Sequence, residues 1–240
     1  MATIAGNLQA VKSRISAAAE RAGRGRESVR LLAVSKTHPV TLVAEAYSAG
    51  QTAFGENYVQ EALEKMDALS QLLGAEAARA LEWHLIGPLQ SNKTRVVAER
   101  FAWVHTIERE KIARRLSEQR SSGLAPLQVL VQVNVSGEPS KSGVAAHEVS
   151  TLARAVAAMP RLRLRGLMAI PEPTDDKAIQ HARFRAVREL FERLREDGLA
   201  LDTLSMGMSD DMEAAIAEGA TMVRVGTAIF GPRESARSAA

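Results

Sequence analysis

Strand-like and helix-like segments alternate along almost the whole chain. Short apolar runs occur about eight times, and each is followed by a segment in which apolar residues recur at helical spacing. This regular alternation is typical of a parallel sheet whose strands are connected by helices. We therefore predict an α/β fold, a single (β/α)8 TIM barrel with an additional N-terminal helix. An open doubly wound sheet is the alternative that the pattern leaves open.

The bulk properties of the chain limit the classes of protein that it can represent. A length of 240 residues suits one barrel and no linker marks a second domain, so we interpret residues 1–240 as one domain. Cysteine is absent, which excludes disulfides and cysteine-bound metals. The net charge of +3 comes from arginines scattered among glutamates, and nucleic-acid binding is not predicted. Since no apolar run approaches membrane length and no secretion signal is visible, we expect a cytoplasmic protein. We take it to be a monomer without a sequence feature that decides the oligomeric state.

The first predicted strand ends on a lysine. Side chains alternate along a strand, so Leu32, Val34 and Lys36 share one face. If that face points into a barrel, the amine of Lys36 lies at the carboxyl ends of the strands, where α/β folds bind their ligands. A desolvated lysine is a Schiff-base nucleophile. The structural alternative is a strand-end lysine whose charged group simply reaches water along its aliphatic stem.

Two segments near the C-terminus carry residues of the kind that binds phosphate. Residues 204–211 join a predicted strand to a helix, with Ser209 as the N-cap of that helix. The last strand carries Arg224 and Gly226 on one face, and Gly226 and Thr227 offer backbone N–H groups at its end. In barrels the loops after the seventh and eighth strands often form a phosphate site. The alternative for Ser209 is an ordinary cap, because two aspartates follow it.

These residues together suit one cofactor. An inward-pointing arginine needs an acceptor, because an unpaired buried charge is costly. The first and last strands are neighbours in a closed barrel, which brings Arg224 close to Lys36. Pyridoxal 5′-phosphate (PLP) fits this set, with its aldehyde at Lys36, its ring nitrogen at Arg224 and its phosphate at Ser209, Gly226 and Thr227. The five histidines are scattered without metal-binding spacing, and no metal site is predicted.

Seven ordered motifs resemble those of the pyridoxal phosphate homeostasis protein family, and they cover nearly the whole chain. They are AVSKT at residues 33–37, FGENYVQE at 54–61, WHLIGPLQSNK at 83–93, VN at 133–134, GLM at 166–168, LSMGMSDD at 204–211 and VRVGTAIFG at 223–231. That family resembles the barrel domain of alanine racemase and lacks the second, β-rich domain of that enzyme. The resemblance implies a PLP-binding barrel with a role in intracellular PLP homeostasis.

The resemblance also implies roles for individual residues. Lys36 would hold PLP covalently as a Schiff base, and Arg224 would be the partner of the pyridine nitrogen. The phosphate ligands would be Ser209, Gly226 and Thr227. Four further residues are expected around the cofactor: Asn57, His84, Asn134 and Met206.

Two functions of different classes remain open. The first is storage of PLP or its delivery to apo forms of PLP-dependent enzymes, and the second is a racemase-type reaction on amino acids. A racemase needs a second acid or base opposite the lysine, whereas the tyrosines here, Tyr47 and Tyr58, lie in predicted helices. Arg224 at the ring nitrogen would also disfavour the protonated pyridine on which most PLP enzymes depend. We therefore expect a PLP-binding protein without catalytic turnover, and we assign no catalytic residue.

Overall fold

The computed structural model describes residues 3–135 and 142–232. In these ranges the strands are β1 (Arg30–Val34), β2 (Ala53–Glu56), β3 (Glu82–Leu85), β4 (Trp103–Ile107), β5 (Leu127–Asn134), β6 (Val144–Ala145), β7 (Leu162–Ala169), β8 (Thr203–Ser205) and β9 (Met222–Val225). The helices are α1 (Ile4–Arg21), α2 (Val40–Ser48), α3 (Val59–Leu73), α4 (Ala75–Arg79), α5 (Thr94–Arg100), α6 (Glu110–Gln119), α7 (Val149–Ala157), α8 (Lys177–Glu196), α9 (Met212–Ala217) and α10 (Thr227–Phe230). Of the helices in this part of the chain, none is both long and apolar enough to span a lipid bilayer.

The sheet closes on itself as a barrel. Eight parallel strands follow one another in the order β1, β2, β3, β4, β5, β7, β8 and β9, and the pairing of β9 with β1 completes the ring. In that last pairing Leu32 lies opposite Arg224. The two-residue β6 is added to the end of β5. The (β/α)8 barrel is therefore confirmed, and the open doubly wound alternative is wrong.

Alternation along the strands separates two kinds of core. Leu31 and Ala33 are buried in the large core between the barrel and its helices, whereas Leu32 and Val34 pack in a separate cluster inside the barrel. The buried apolar members of the two interior clusters are Leu32, Ala53, Ile86 and Met222 on one side and Trp103, Leu130 and Met168 on the other. The face of β1 that leads towards Lys36 is thus the interior face, as the sequence predicts.

The additional N-terminal helix is confirmed as α1. The side chain of Thr3 caps it by accepting a hydrogen bond from the N–H of Gly6 at 3.1 Å. Its buried stripe consists of Ile4, Leu8, Val11, Ile15, Ala18 and Ala19. The side chain of Asn7 donates to the carbonyl of Ile229 in α10 at 2.8 Å, and α1 also contacts α9. As a result, α1 lies beside the segments that follow the last two strands of the barrel.

One helix is shorter than its sequence pattern predicts. Apolar spacing predicts a helix over residues 144–159, but α7 begins at Val149 and the preceding residues form β6. Val144 and Ala145 pair with the end of β5, so ladder hydrogen bonds replace helical ones there. The sequence also predicts a polar, turn-rich connection over residues 138–143, of which residues 138–141 lie outside the described residues.

Candidate functional site

A cavity opens at the carboxyl ends of the barrel strands. Its volume is about 510 Å³, within the range of small-molecule sites. Six of the nine residues predicted to bind the cofactor line it: Lys36, Asn57, Ser209, Arg224, Gly226 and Thr227. They lie far apart in the sequence and meet because parallel strands present their carboxyl ends at one edge.

The other three predicted residues do not line this cavity. His84 lies fully buried inside the barrel, and Met206 is fully buried in the core between the sheet and the helices. Asn134 is half-buried at the end of β5, directly before residues that lie outside the described ranges. Direct contacts of these three residues with a cofactor remain a prediction.

Lys36 lies in a turn whose backbone conformation is unusual. Strand β1 ends at Val34, and the side chain of Lys36 lines the cavity two residues later. The following residue, Thr37, has a φ of 64°, in the left-handed region that β-branched residues rarely adopt. The N–H of Thr37 donates to the carboxylate of Glu61 at 2.5 Å, which helps to hold this conformation. The turn therefore fixes the direction in which the Lys36 side chain leaves the strand.

A second lysine supports this turn from the helix side. Lys65 in α3 donates to the carboxylates of Glu56 at 2.8 Å and Glu61 at 2.6 Å. It also donates to the backbone carbonyl of Ser35 at 2.6 Å, and the hydroxyl of Ser35 donates to Glu56 at 2.6 Å. We call these four residues the Lys65 cluster. Burial raises the pKa of Glu56, while the Lys65 ammonium and the Ser35 hydroxyl oppose that shift. The Lys65 cluster anchors the residue immediately before Lys36.

Arg224 is a buried cation held by neutral acceptors. Its guanidinium donates to the carbonyl and hydroxyl of Ser205 at 2.7 and 2.8 Å, and to the carbonyl of Ala169 at 2.8 Å. Among the described residues it forms no salt bridge. Burial lowers the pKa of Arg224 to about 10, and attraction to Asp211 opposes this shift. Arg224 therefore remains charged at neutral pH and can only donate hydrogen bonds to a ligand.

The segment after β8 differs from the predicted helix start. Helix α9 begins at Met212 with Asp211 as its N-cap residue, so the prediction that Ser209 caps it is wrong. The carboxylate of Asp211 accepts a hydrogen bond from the N–H of Met208 at 2.6 Å. Serine and aspartate are both good caps, so the local sequence is compatible with either start. Ser209 is left in the turn, where it lines the cavity.

Arg14 is a cavity residue that the sequence analysis missed. It lies on α1 and lines the cavity, and its guanidinium donates to the backbone carbonyl of Ser209 at 3.1 Å. It also pairs with Glu213 at 2.9 Å, in a half-exposed salt bridge. Helical spacing predicts that α1 packs on the barrel, but it contains no signal for which strand ends the helix lies beside. Arg14 adds a positive charge on the side of the cavity where the phosphate is predicted.

Two histidines are buried inside the barrel. Burial lowers the pKa of His84 to about 4, although the carboxylate of Glu82, 2.6 Å from its Nε2, opposes the shift. Burial also lowers the pKa of His105 well below its ordinary value, and nearby positive charge adds to that effect. Both imidazoles are therefore neutral in the folded protein at neutral pH. In the described ranges, these histidines included, no group of three histidine or acidic side chains is arranged to hold a metal ion.

We expect the protein to lose stability as the pH falls from about 6.5 towards 4, because both pKa values are lower in the folded state than in the unfolded state. Stability from these groups is present above the unfolded pKa and is lost as the unfolded chain takes up protons. For His84 alone, the shift from 6.5 to about 4 corresponds to a loss of about 3 kcal/mol at the lower end. Urea unfolding measured across this range, with His84→Gln as the comparison, tests the prediction. An equal pH dependence in the two proteins would contradict it.

The sequence matches a known family over nearly its whole length. The profile described as alanine racemase, N-terminal domain, matches residues 6–234. A protein of Pseudomonas aeruginosa is 59% identical over 234 residues, covering 98% of this chain and 97% of the relative. A protein of Escherichia coli K12 is 56% identical over 234 residues, covering 98% of each chain. Both relatives are named pyridoxal phosphate homeostasis protein, a name that denotes no catalytic activity, in agreement with the non-enzymatic prediction.

Solved structures show the same fold. PipY of Synechococcus elongatus, in a structure with PLP bound, is 36% identical with a TM-score of 0.83, covering 95% of this chain and 100% of that one. Alanine racemase of Corynebacterium glutamicum has a TM-score of 0.68 at 19% identity, covering 96% of this chain and 63% of that one. The racemase supports the fold alone, because its sequence is too distant to carry more. From the profile match and the two curated relatives it follows that the chain belongs to the pyridoxal phosphate homeostasis protein family, and that its barrel is an alanine racemase N-terminal domain.

Proposed function

We propose that this protein binds PLP in the cavity at the strand ends, holds it as a Schiff base on Lys36, and stores or delivers it without catalytic turnover. One observation carries the proposal: the cavity brings the amine of Lys36 and the guanidinium of Arg224 together with Ser209, Gly226 and Thr227. The proposal covers residues 1–240 as one PLP-binding domain. In this proposal the protein acts as a cytoplasmic monomer, and the recipients of its PLP are apo forms of PLP-dependent enzymes.

The donor set in the cavity fits the chemistry of PLP. An amine, a guanidinium and a group of hydroxyl and N–H donors match an aldehyde, a pyridine nitrogen and a phosphate. The phosphate side also requires a small residue. A Cβ atom added to Gly226 would lie 3.0 Å from the carbonyl oxygen of Val34, tighter than ordinary packing. Gly226 thus lets the backbone after β9 pass close to β1 at the edge of the cavity.

Lys36 supplies the covalent link in this proposal. Its deprotonated amine forms a C=N bond with the aldehyde carbon of PLP, and the aldehyde oxygen leaves as water. Lys65 is the other lysine near the turn, but its ammonium is committed to three acceptors in the Lys65 cluster. It borders a different cleft, on the outer side of the turn, together with Thr37 and Glu64. The two lysines thus have different roles, one towards the ligand and one within the scaffold.

Arg224 favours a binding role over a catalytic one. PLP supplies an electron-withdrawing ring when its nitrogen is protonated, and a guanidinium partner disfavours that protonation. Neither tyrosine of the chain lines the cavity; Tyr58 is 58% exposed at the start of α3, and Tyr47 packs in α2. His38 and Asp210 are the titratable side chains that border the cavity beside Lys36, apart from the two arginines. A turnover assay is therefore part of the test.

We expect PLP to bind much more tightly than pyridoxal, because the phosphate forms several charge-assisted hydrogen bonds of about 1.5–3 kcal/mol each. Substitution Arg14→Gln should weaken PLP binding on the order of tenfold and leave pyridoxal binding nearly unchanged. The surface pair of Arg14 with Glu213 contributes little, so its guanidinium can turn towards a phosphate at small cost.

The exposed Arg21 of the same helix provides a matched control for Arg14, and Arg21→Gln should leave both affinities unchanged. Fluorescence titration of the unmodified protein and the two variants with each ligand measures the six affinities. Equal affinity of the unmodified protein for PLP and pyridoxal would contradict the phosphate site. An equal effect of Arg14→Gln on both ligands would contradict the role of Arg14.

The carrier function is tested by two assays on the same PLP-loaded protein. The first measures transfer of PLP to an apo-enzyme while a trap removes PLP that is released into solution. The second measures racemisation and α-deuterium exchange across the common amino acids. We expect transfer in the presence of the trap and turnover far below about 1 s⁻¹, the low end of ordinary enzymes. Sustained turnover at or above that rate would contradict the carrier function, and failure of transfer would contradict delivery.

A further inference from the structure

A line of hydrogen bonds crosses the barrel interior and ends on Arg224. The hydroxyl of Ser205 accepts from Nη1 of Arg224 at 2.8 Å and lies 3.1 Å from Nδ1 of His105. Nε2 of His105 is 2.9 Å from Nδ1 of His84, and Nε2 of His84 is 2.6 Å from Oε1 of Glu82. We call Glu82, His84, His105 and Ser205 the cross-barrel chain. Its members lie on β3, β4 and β8, so it connects strands on different sides of the barrel.

The two ends of the cross-barrel chain determine where each proton lies. A guanidinium only donates, so the oxygen of Ser205 accepts from Arg224, and the hydroxyl proton is available for Nδ1 of His105. His105 is then neutral with its proton on Nε2, which it donates to Nδ1 of His84. His84 in turn carries its proton on Nε2 and donates it to the carboxylate of Glu82, which only accepts. For neutral imidazoles the carboxylate end fixes this order, and the arginine end is compatible with it.

The far end of the cross-barrel chain is held in place by charge and by stacking. Arg30 pairs with Glu82 at 2.8 Å. Burial alone would raise the pKa of Glu82, but hydrogen bonds from His84 and Arg30 lower it to about 2, so the carboxylate is ionised. The ring of His84 stacks on Trp103 with centroids 5.2 Å apart and planes 7° apart. The imidazole of His84 is therefore fixed both in its plane and at both of its nitrogens.

We propose that the cross-barrel chain positions Arg224 at the cavity. In it both histidines are neutral Nε2–H tautomers, and the negative charge of Glu82 stabilises the positive charge of Arg224 through the hydrogen bonds between them. Each hydrogen bond in a directed chain polarises the next, so a carboxylate at one end strengthens the acceptor at the other. The consequence for PLP, a fixed donor at its ring nitrogen, rests on the proposed function. The proton arrangement itself does not, because it follows from protein contacts alone.

The first test uses the protein without PLP, with histidine labelled by ¹⁵N. NMR of the imidazole nitrogens should show His84 and His105 as neutral Nε2–H tautomers. Substitution Ser205→Ala removes the donor to Nδ1, so the Nδ1 signal of His105 should shift while its Nε2–H tautomer is kept by His84, and the guanidinium protons of Arg224 should exchange faster with water. Ser117→Ala deletes the hydroxyl of a buried serine on α6 outside the cross-barrel chain and serves as the control. A charged or Nδ1–H histidine, or unchanged signals in Ser205→Ala, would overturn the proposal.

The second test measures PLP binding and the absorption maximum of the PLP-loaded protein. Ser205→Ala should weaken binding on the order of tenfold and shift the maximum, and Ser205→Thr should restore both, because a hydroxyl is again present. A purely structural role would lower stability without shifting the absorption. If the unmodified protein binds no PLP, the proposed function is wrong. The NMR measurement on the PLP-free protein still tests the proton arrangement in that case. Normal PLP binding with an unchanged affinity and spectrum in Ser205→Ala would overturn the positioning role.

Discussion

Substitution Lys65→Met is expected to lower the free energy of unfolding by about 3–5 kcal/mol, the usual cost of breaking a buried ion pair from one side. Glu56 is fully buried, and in the described ranges Lys65 is the only cation paired with it. The second oxygen of Glu56, Oε2, is buried without a hydrogen-bond partner, so loss of Lys65 leaves a buried carboxylate with the Ser35 hydroxyl as its donor and no paired cation in the described ranges. Methionine keeps most of the apolar volume of the lysine stem, which separates the loss of charge from the loss of packing.

Urea unfolding measures this effect against two further variants. Lys111→Met changes an exposed lysine of α6 and should shift stability by no more than about 0.5 kcal/mol. The double variant Lys65→Met with Glu56→Gln removes both charges and should recover a large part of the loss. A loss in Lys65→Met no larger than that in Lys111→Met would show that the Lys65 cluster does not support the fold.

Strand alternation explains why the sequence predicts one side of the site well. The period of two along β1 assigns Leu32, Val34 and Lys36 to one face, and the structure places the first two inside the barrel and Lys36 at the cavity. The neighbouring position of Arg224 depends only on closure of the barrel between the first and last strands. Both inferences rest on geometry that every closed parallel barrel shares.

Other features depend on tertiary contacts that no local pattern encodes. A period of two shows which face of a strand a residue lies on, but it does not show how far along the barrel axis the residue lies. His84 could therefore be assigned to the barrel interior, but the pattern could not show that it lies outside the cavity lining. His105 could not be connected to His84 or Ser205, because their hydrogen bonds join strands distant in the sequence. Arg14 reaches the site only because α1 packs beside the segment after β8.

Substitution Lys36→Ala is expected to abolish covalent attachment of PLP altogether, since alanine has no amine and Lys65 is held by three acceptors on the other side of the turn. The remaining noncovalent contacts at Arg224 and the phosphate side should still allow weak binding of PLP. Stability should change little, because Lys36 is only half-buried and borders a cavity. Circular dichroism melting checks that the variant is folded, and the absorption spectrum with added PLP measures the attachment.

The most direct measurement of the central claim is reduction of the PLP-loaded protein with borohydride, followed by peptide mass spectrometry. Reduction converts a Schiff base into a stable secondary amine and so marks the lysine that held the cofactor. We expect a single modified peptide, carrying the reduced PLP mass on Lys36, and no modified peptide from Lys36→Ala. A label on Lys65 or another lysine, or no label in a protein saturated with PLP, would contradict the claim that Lys36 holds the cofactor.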